Sequence, residues 1–177
     1  MINKPKYLYH ASQNRNIEIF EPRAISVRDP NEGHVVFATP DIDLASVFLV
    51  PTNDSWCNSG LFGEIPYFVC SDEKRFKESD KGGAIYTLPS DTFENDPDRG
   101  LRSREWTSKI PVKPVKKEIY ESGLKQMIDS KIQVYFVSKD KFEEIKTSKD
   151  HGNKILRESV SENKKLNKNV REIPKFD

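Results

Sequence analysis

Residues 7–12 (YLYHAS), close to the start of the chain, decide much of the fold. Their alternation is typical of a strand, which we predict over residues 6–10. Because the small residues Ala11 and Ser12 follow, we expect the His10 imidazole to stand at a sheet edge with little bulk around it. Residues 33–41 (GHVVFATPD) form a second unit. Its compact apolar centre, with β-branched members, predicts a buried strand over residues 35–38.

A helix is expected directly after this second strand. Thr39 can serve as its N-cap, Pro40 suits the first helical position, and Asp41 complements the positive end of the helix. Ala45, Phe48 and Leu49 then share one face, and Pro51 ends the run.

The rest of the chain predicts short strands with few helices between them. We expect an edge strand over 65–70, because Pro66 cannot donate to a ladder, and further strands over 84–88 and 132–137. Residues 105–108 begin a stretch that Pro111 and Pro114 interrupt, and Val112 and Val115 around these prolines indicate an irregular or edge strand. Helical spacing of apolar residues predicts an amphipathic helix over 115–129, and Ser138 can cap a shorter helix. Without regular alternation of strands and helices, these elements indicate a mixed α+β domain. No glycine-rich turn follows a strand, which argues against a Rossmann-type dinucleotide fold.

Length and charge indicate one domain with an appendage. The chain has 177 residues, and from residue 146 onward it is rich in Lys, Asn and Glu. We therefore predict a domain over 1–145 and a charged C-terminal helix or mobile tail over 146–177. Because 29 basic residues balance 28 acidic ones, no bulk charge directs the protein to nucleic acid or to a membrane.

The number and spacing of the cysteines and histidines bear on the cellular compartment and on metal binding. Two cysteines do not make a disulfide framework, and three scattered histidines give no zinc-ligand spacing, so we predict no metal site. The N-terminus has no apolar signal region, and no apolar run approaches the ~20 residues that span a bilayer. A soluble, cytoplasmic protein is the expectation, although secretion without a signal peptide leaves no mark in a sequence.

Three short motifs, in order, resemble those of ADP-ribosyltransferases of the diphtheria-toxin type. Residues 9–12 (YHAS) resemble the Tyr/Trp-His-Gly-Ser/Thr motif that poly(ADP-ribose) polymerases and tRNA 2′-phosphotransferases share in their own versions. Residues 33–38 followed by Ala45 resemble the second motif, a Gly-x-x-Tyr-Phe-Ala strand leading into a helix. Residues 85–105 are similar in order and type to the second half of rifampin ADP-ribosyltransferase. The similarity spans roughly residues 7–115 and implies split antiparallel β-sheets with a few peripheral helices.

The resemblance implies that the chain binds NAD+ as a substrate. It assigns His10 to a ribose hydroxyl and Ser12 to the nicotinamide amide, and Ala11 stands where glycine is usual. The aromatic residue of the second motif falls on Val36, so Phe37, Tyr86 and Tyr9 are the alternatives for the nicotinamide platform. The implied cofactor-binding set is His10, Ala11, Ser12, Phe37, Ala38 and Tyr86.

The same resemblance requires an acidic residue beside the nicotinamide ribose. Breaking the N-glycosidic bond builds positive charge on the sugar, which a fixed carboxylate stabilises, and the carboxylate can also accept the proton of the incoming group. Asp96 matches the Glu-x-Asp-Pro pattern of the rifampin enzyme, and Glu105 begins a strand-like segment, as the catalytic Glu does in the polymerases and toxins. We favour Glu105, because a strand holds a carboxylate more rigidly than a loop, and we expect it to share one cleft with His10.

Several functions fit this pattern. The first is a transferase that passes ADP-ribose from NAD+ to a protein, a nucleic acid or a small molecule. The second is an RNA 2′-phosphotransferase, which needs a cluster of basic groups that only Arg15, Arg23, Arg28 and His34 can supply here. The third is a non-catalytic nucleotide-binding module on the same fold. Structural roles compete with all of them, because a histidine at a strand end is often only a hydrogen-bonding group and Glu105 has Arg102 and Arg104 beside it for an ion pair.

Overall fold

A computed structural model describes residues 4–25, 33–51, 55–62, 65–95, 102–149, 152 and 154–158. In these ranges the strands are β1 (Tyr7–Ser12), β2 (Ala24–Ile25), β3 (His34–Ala38), β4 (Cys57–Phe62), β5 (Ile65–Cys70), β6 (Gly83–Pro89), β7 (Glu94–Asn95), β8 (Trp106–Ser108), β9 (Lys116–Tyr120) and β10 (Gln133–Phe136). The helices are α1 (Ile42–Ala45), α2 (Glu73–Ser79), α3 (Gly123–Asp129) and α4 (Lys139–Thr147). Two 3₁₀ segments cover Ser46–Leu49 and Arg102–Arg104. Among the described helices, none has the length and apolar character that crossing a membrane requires.

The strands form three small sheets. Two are antiparallel, with strand orders β1-β6-β9 and β2-β3-β8-β7. The third has the order β10-β5-β4 and combines an antiparallel β4–β5 pair with a parallel β5–β10 pair. The expected mixed α+β class is therefore confirmed.

A main-chain bridge joins the two antiparallel sheets. The Tyr9 amide donates to the Thr39 carbonyl at 2.7 Å, and the Thr39 amide donates back to the Tyr9 carbonyl at 2.9 Å. On its other side β3 pairs with β8, with Ala38 opposite Trp106. These ladders bring the end of β1, the end of β3 and the start of β8 to one junction, under which lies a core cluster that includes Leu8, Val36, Tyr86 and Trp106.

The first helix begins two residues later than expected. Thr39 is not its N-cap, because its backbone is already paired with β1; its hydroxyl instead accepts a hydrogen bond from the Asp41 amide at 3.1 Å. Asp41 is the N-cap, and its carboxylate accepts from the amides of Asp43 and Leu44. The helix tightens to 3₁₀ geometry from Ser46 and ends before Pro51.

The helix predicted over 115–129 was wrong. Its first part is strand β9, which pairs with β6, and only α3 is helical. Val115 and Ile119 supplied part of the helical spacing, but they are 60% and 45% exposed. They therefore belong to the open face of an edge strand and not to a buried helix stripe. Ser122 starts the helix afresh by capping the Lys125 amide.

Strand β5 is central and not at an edge. Its ladder with β10 begins at Tyr67, one residue after Pro66. Proline has no N–H to donate, and because Pro66 lies outside the β5–β10 ladder, it leaves no gap in that ladder. The charged stretch after β5 contains α2 and buries Phe76. Strands β6 and β10 lie where the sequence predicted strands.

Asp80 ties the turn after α2 to the start of α3. Its carboxylate accepts from the amides of Gly82 (3.2 Å), Gly123 (2.6 Å) and Leu124 (3.0 Å) and from the Ser122 hydroxyl (2.7 Å). Partial burial opposes ionisation, but these four donors outweigh it and lower the pKa of Asp80.

The C-terminal part of the fold is confirmed as far as α4. Ser138 caps α4 through the Lys141 amide, and Phe142 and Ile145 are buried. The predicted boundary at residue 145 falls inside this helix, and Leu156, in a helical stretch over 154–158, is buried in the same cluster. Residues 159–177, the rest of the predicted tail, lie outside the described ranges.

Candidate functional site

A cavity of about 300 Å³ lies at the junction of the two antiparallel sheets. Its lining comes from the end of β1, the end of β3, the first helix with its 3₁₀ extension, and the segment that leads into β8. The lining residues are Tyr9, His10, Ala11, Phe37, Ala38, Thr39, Leu44, Phe48, Arg104 and Glu105. A volume of this size lies at the lower end of the range for small-molecule sites.

His10 and Glu105 reach the same cavity because of the pairing around β3. The Tyr9–Thr39 bridge sets β1 against the end of β3, and the Ala38–Trp106 pair sets the start of β8 on the other side. Glu105 directly precedes β8, and its carbonyl accepts a hydrogen bond from the Asn95 side-chain amide at 2.6 Å. The expectation that Glu105 shares one cleft with His10 is therefore met.

The hydrogen bonding of His10 fixes its tautomer. Nδ1 lies 2.6 Å from the Phe37 carbonyl oxygen, which can only accept, so Nδ1 carries the proton. Burial lowers the pKa of His10, and the bond to Phe37 opposes that effect without cancelling it. The ring is therefore neutral near pH 7, and its Nε2 lone pair is an acceptor suited to a hydroxyl group.

A second, larger hollow of about 590 Å³ shares His10 and Phe37 with the first. Its other described lining residues come mainly from the segment after β1. They are Asn14, Asn16, Ile17, Glu18, Ile19, Phe20, Glu21, Arg23, Val35 and Val36. The ring of Phe20 packs on the imidazole with the centroids 4.6 Å apart. His10 and Phe37 therefore form a shared wall between an apolar cavity and a wider, more polar one.

Tyr86 lies behind the site and not in the lining of the Glu105 cavity. Its ring is fully buried and packs edge-on against Phe20, with the centroids 5.1 Å apart. Its hydroxyl donates to the Asn14 carbonyl at 2.7 Å and accepts from the Ile17 amide at 3.0 Å. Tyr86 thus supports the segment and the ring against which His10 packs.

The remaining residues of the cofactor-binding set divide between the cavity and its surroundings. Ala11, Phe37 and Ala38 line the cavity, and Phe37 is partly exposed. Val36, where the motif that the sequence resembles has an aromatic residue, is buried in the core. Ser12 is not among the lining residues, and its hydroxyl accepts a hydrogen bond from the Asn14 amide at 3.2 Å.

The other residues that the sequence singled out are not gathered at this site. Asp96 and Arg28 lie outside the described ranges. Arg15 binds the Glu121 carboxylate at 3.1 Å, and His34 is exposed at the start of β3; neither lines either cavity. Of the described basic residues proposed for a 2′-phosphotransferase, Arg23 alone lines the larger hollow.

Sequence reasoning missed Arg104 and Phe48 as parts of the cavity. Arg104 Nη1 lies 2.9 Å from the Asp41 Oδ2 atom, a contact between distant positions that no local pattern indicates. Phe48 was expected to share one helix face with Ala45 and Leu49, but those two are buried and Phe48 is 41% exposed. The chain has 3₁₀ geometry from Ser46, which changes the angle between successive residues, and Phe48 lines the cavity.

Within the described ranges, no three His, Cys, Asp or Glu side chains are grouped in a way that could hold a metal ion. No protein-family model, no curated protein and no solved structure matches the chain.

Proposed function

We propose that this chain cleaves the nicotinamide–ribose bond of NAD+ and transfers ADP-ribose to an acceptor, on an ADP-ribosyltransferase-like arrangement of two antiparallel sheets. The observation that carries the proposal is the meeting of His10 and Glu105 in one cavity, at a junction made by a main-chain bridge. The order of the three sequence motifs, which first indicated this chemistry, is independent support.

The lining residues suit the reaction. The rings of Tyr9, Phe37 and Phe48 offer apolar faces for a planar nicotinamide. The neutral His10 offers Nε2 to a ribose hydroxyl. The Glu105 carboxylate stabilises the positive charge that develops on the sugar as the bond to nicotinamide breaks. It then accepts the proton that the acceptor loses when it attacks C1′.

The adjoining hollow supports a ligand longer than nicotinamide riboside. The smaller cavity, at about 300 Å³, accommodates one half of a dinucleotide, and the larger hollow begins at the same two residues, His10 and Phe37. A molecule that passes this shared wall is held at its middle by the imidazole. This arrangement favours NAD+ over nicotinamide-sized ligands alone.

The test is nicotinamide release from NAD+ by the purified full chain. We expect Glu105→Gln to lower kcat by about a hundredfold to ten-thousandfold, the usual range for loss of an acid–base or electrostatic group. Its matched control is Glu118→Gln, which removes an exposed carboxylate that pairs with Lys116 on β9. His10→Gln is expected to raise KM for NAD+, and His34→Gln is its control.

Two results would refute the proposed ADP-ribosyl transfer. The first is a wild-type protein that releases no nicotinamide from NAD+. The second is release of nicotinamide at the wild-type rate by both Glu105→Gln and Asp96→Asn. Activity that survives Glu105→Gln but disappears in Asp96→Asn would move the acid role to Asp96.

A non-catalytic nucleotide-binding module is the second candidate. The observation that favours it is Val36, which occupies the position of the family's aromatic residue and is buried in the core. A binding module would take up NAD+, measured by calorimetry, with His10→Gln weakening the affinity, but would release no nicotinamide at any pH. The same two assays therefore separate the two candidates.

A further inference from the structure

Asp41 uses its two carboxylate oxygens for different contacts. Oδ1 accepts hydrogen bonds from the amides of Asp43 at 3.0 Å and Leu44 at 3.1 Å, which caps α1. Oδ2 accepts from Arg104 Nη1 at 2.9 Å. One side chain therefore both starts the first helix and attaches it to the residue before Glu105.

The Asp41–Arg104 contact connects two of the segments that form the cavity wall. Main-chain hydrogen bonds join β1 to the end of β3, and the β3–β8 ladder joins that strand to the segment after Glu105. Apolar packing of Ala45 and Leu49 against Ala11 holds the helix to β1. The Asp41–Arg104 pair connects the helix, which carries Leu44, to the segment that carries Glu105.

The surroundings make this contact stronger than an ordinary surface ion pair. The side chains of Arg104 and Asp41 are only 20% and 26% exposed. A charge-assisted hydrogen bond that is largely removed from water is less screened by salt than an exposed pair. It can therefore hold two segments that are far apart in the sequence in one arrangement.

We propose that Asp41 is a positioning residue: through Arg104 it sets the distance between the Leu44 wall of the cavity and the Glu105 carboxylate. The proposal rests on the proposed ADP-ribosyl transfer. Asp41 is not among the residues that line the cavity, so its effect on the reaction passes through Arg104. A displacement of about 1 Å at a reacting group lowers a rate by about a hundredfold.

The decisive variant is Asp41→Asn. Asparagine keeps a side-chain oxygen for the helix cap, where Asn and Asp are about equally good, but it removes the charge that Arg104 binds. Asp43→Asn is the matched control, because Asp43 lies in the same first turn and is exposed. Asp41→Ser, a second capping residue without charge, covers the case in which Asp41→Asn folds poorly.

The readout is kcat and KM for nicotinamide release, together with Tm. We expect Asp41→Asn to lower kcat by about tenfold to a hundredfold, with a small change in KM for NAD+. Because a partly buried charge-assisted contact is lost, Tm should fall a few degrees below that of Asp43→Asn, so kcat is measured well below both Tm values, where both variants are folded. The double variant Asp41→Asn/Arg104→Met should be no slower than Arg104→Met alone, because both changes break the same contact.

Each outcome decides one claim. Equal kcat values for Asp41→Asn and Asp43→Asn in an active protein would overturn the positioning role, as would a loss of activity fully accounted for by the fraction of Asp41→Asn that is unfolded at the assay temperature. Additive losses in the double variant would also overturn it. A wild-type protein without nicotinamide release would instead overturn the proposed function itself, so the two failures are distinguishable.

Discussion

Replacing His10 by glutamine should remove a pH-dependent part of the stability. Burial lowers the pKa of His10 in the folded protein below the value of about 6.5 that an unfolded chain has. Between these two values the unfolded state binds more protons than the folded state, so acid favours unfolding. The wild-type stability is therefore fully present above about pH 6.5 and is lost as the pH falls toward the folded-state pKa.

Because His10 binds one proton, there is an upper limit to the change in the free energy of unfolding with pH. A single group changes the free energy of unfolding by at most about 1.4 kcal/mol per pH unit. In a chain of this length, 1 kcal/mol corresponds to a Tm change of about 2–4 °C. The bond from Nδ1 to the Phe37 carbonyl survives protonation, because that nitrogen already carries its hydrogen. Desolvation of the charged ring is therefore the physical origin of the loss.

Urea unfolding followed by tryptophan fluorescence measures this slope, since Trp56 and Trp106 are both 5% exposed in the folded protein. Wild type and His10→Gln are compared between about pH 7.5 and pH 5.5, above the range in which ordinary carboxylates titrate. The exposed His34 supplies the control variant His34→Gln, which should keep the wild-type slope. Parallel curves for wild type and His10→Gln would refute the account of a neutral, desolvated imidazole.

Three further predictions concern the surroundings of the site and the core. Tyr86→Phe should lower the free energy of unfolding by about 1–3 kcal/mol in chemical denaturation, because two partly buried hydrogen bonds, to the Asn14 carbonyl and from the Ile17 amide, are lost; the exposed Tyr7→Phe should change it little. Asp80→Asn should cost a similar amount at neutral pH and progressively less as the pH falls through the lowered pKa of Asp80, since the wild-type advantage exists only while the carboxylate is ionised. Cys57 and Cys70 are fully buried, and burial raises the pKa of Cys70 to about 12, so a thiol reagent should modify neither residue in the native protein at neutral pH and both after unfolding.

The part of the fold that the sequence predicts is local. Strands β1, β3, β6 and β10 follow from short runs of apolar and β-branched residues, and α4 follows from Ser138 with Phe142 and Ile145 at helical spacing. Strand β1 runs to Ser12, two residues past its predicted end at His10, and Phe20 packs on the imidazole that was expected to have little bulk around it. In β6, β10 and α4 the apolar side chains that made the pattern are buried, as are Val35, Val36 and Ala38 of β3. Propensity and burial agree there, and the expected element forms.

Two predictions from local patterns were wrong, because the residues on which they rested are exposed to solvent or already hydrogen-bonded to another strand. Val115, directly before β9, and Ile119, on β9, have helical spacing but face solvent, because the backbone of that stretch completes the sheet beside β6. Thr39 has the chemistry of a cap, but its main chain pairs with Tyr9. Tertiary pairing overrides local preference in both cases, and a single sequence carries no record of that pairing.

The candidate site also contains features that the sequence indicated and features that it did not. The His10 motif was visible in the sequence, because its residues are contiguous. The contact between Arg104 and Asp41 was not, because it joins a 3₁₀ segment to a helix cap across the cavity. Contacts of this kind depend on how three sheets and a short helix pack together. That packing results from many weak interactions along the whole chain, which no single motif shows.

The construction of the junction explains how the site can tolerate Val36. The bridge between Tyr9 and Thr39 and the first pair of the β3–β8 ladder are main-chain contacts, so they depend little on the side chains of these strands. Val36 projects into the core under the junction, and Phe37 carries the ring that reaches both cavities. A change of side chain on β3 therefore need not move the main chain of His10 away from that of Glu105. For the proposed reaction, this means that the backbone brings the two residues to one cavity, that side-chain contacts such as Asp41–Arg104 adjust the carboxylate, and that the aromatic surface around them can differ from that of the motifs the sequence resembles.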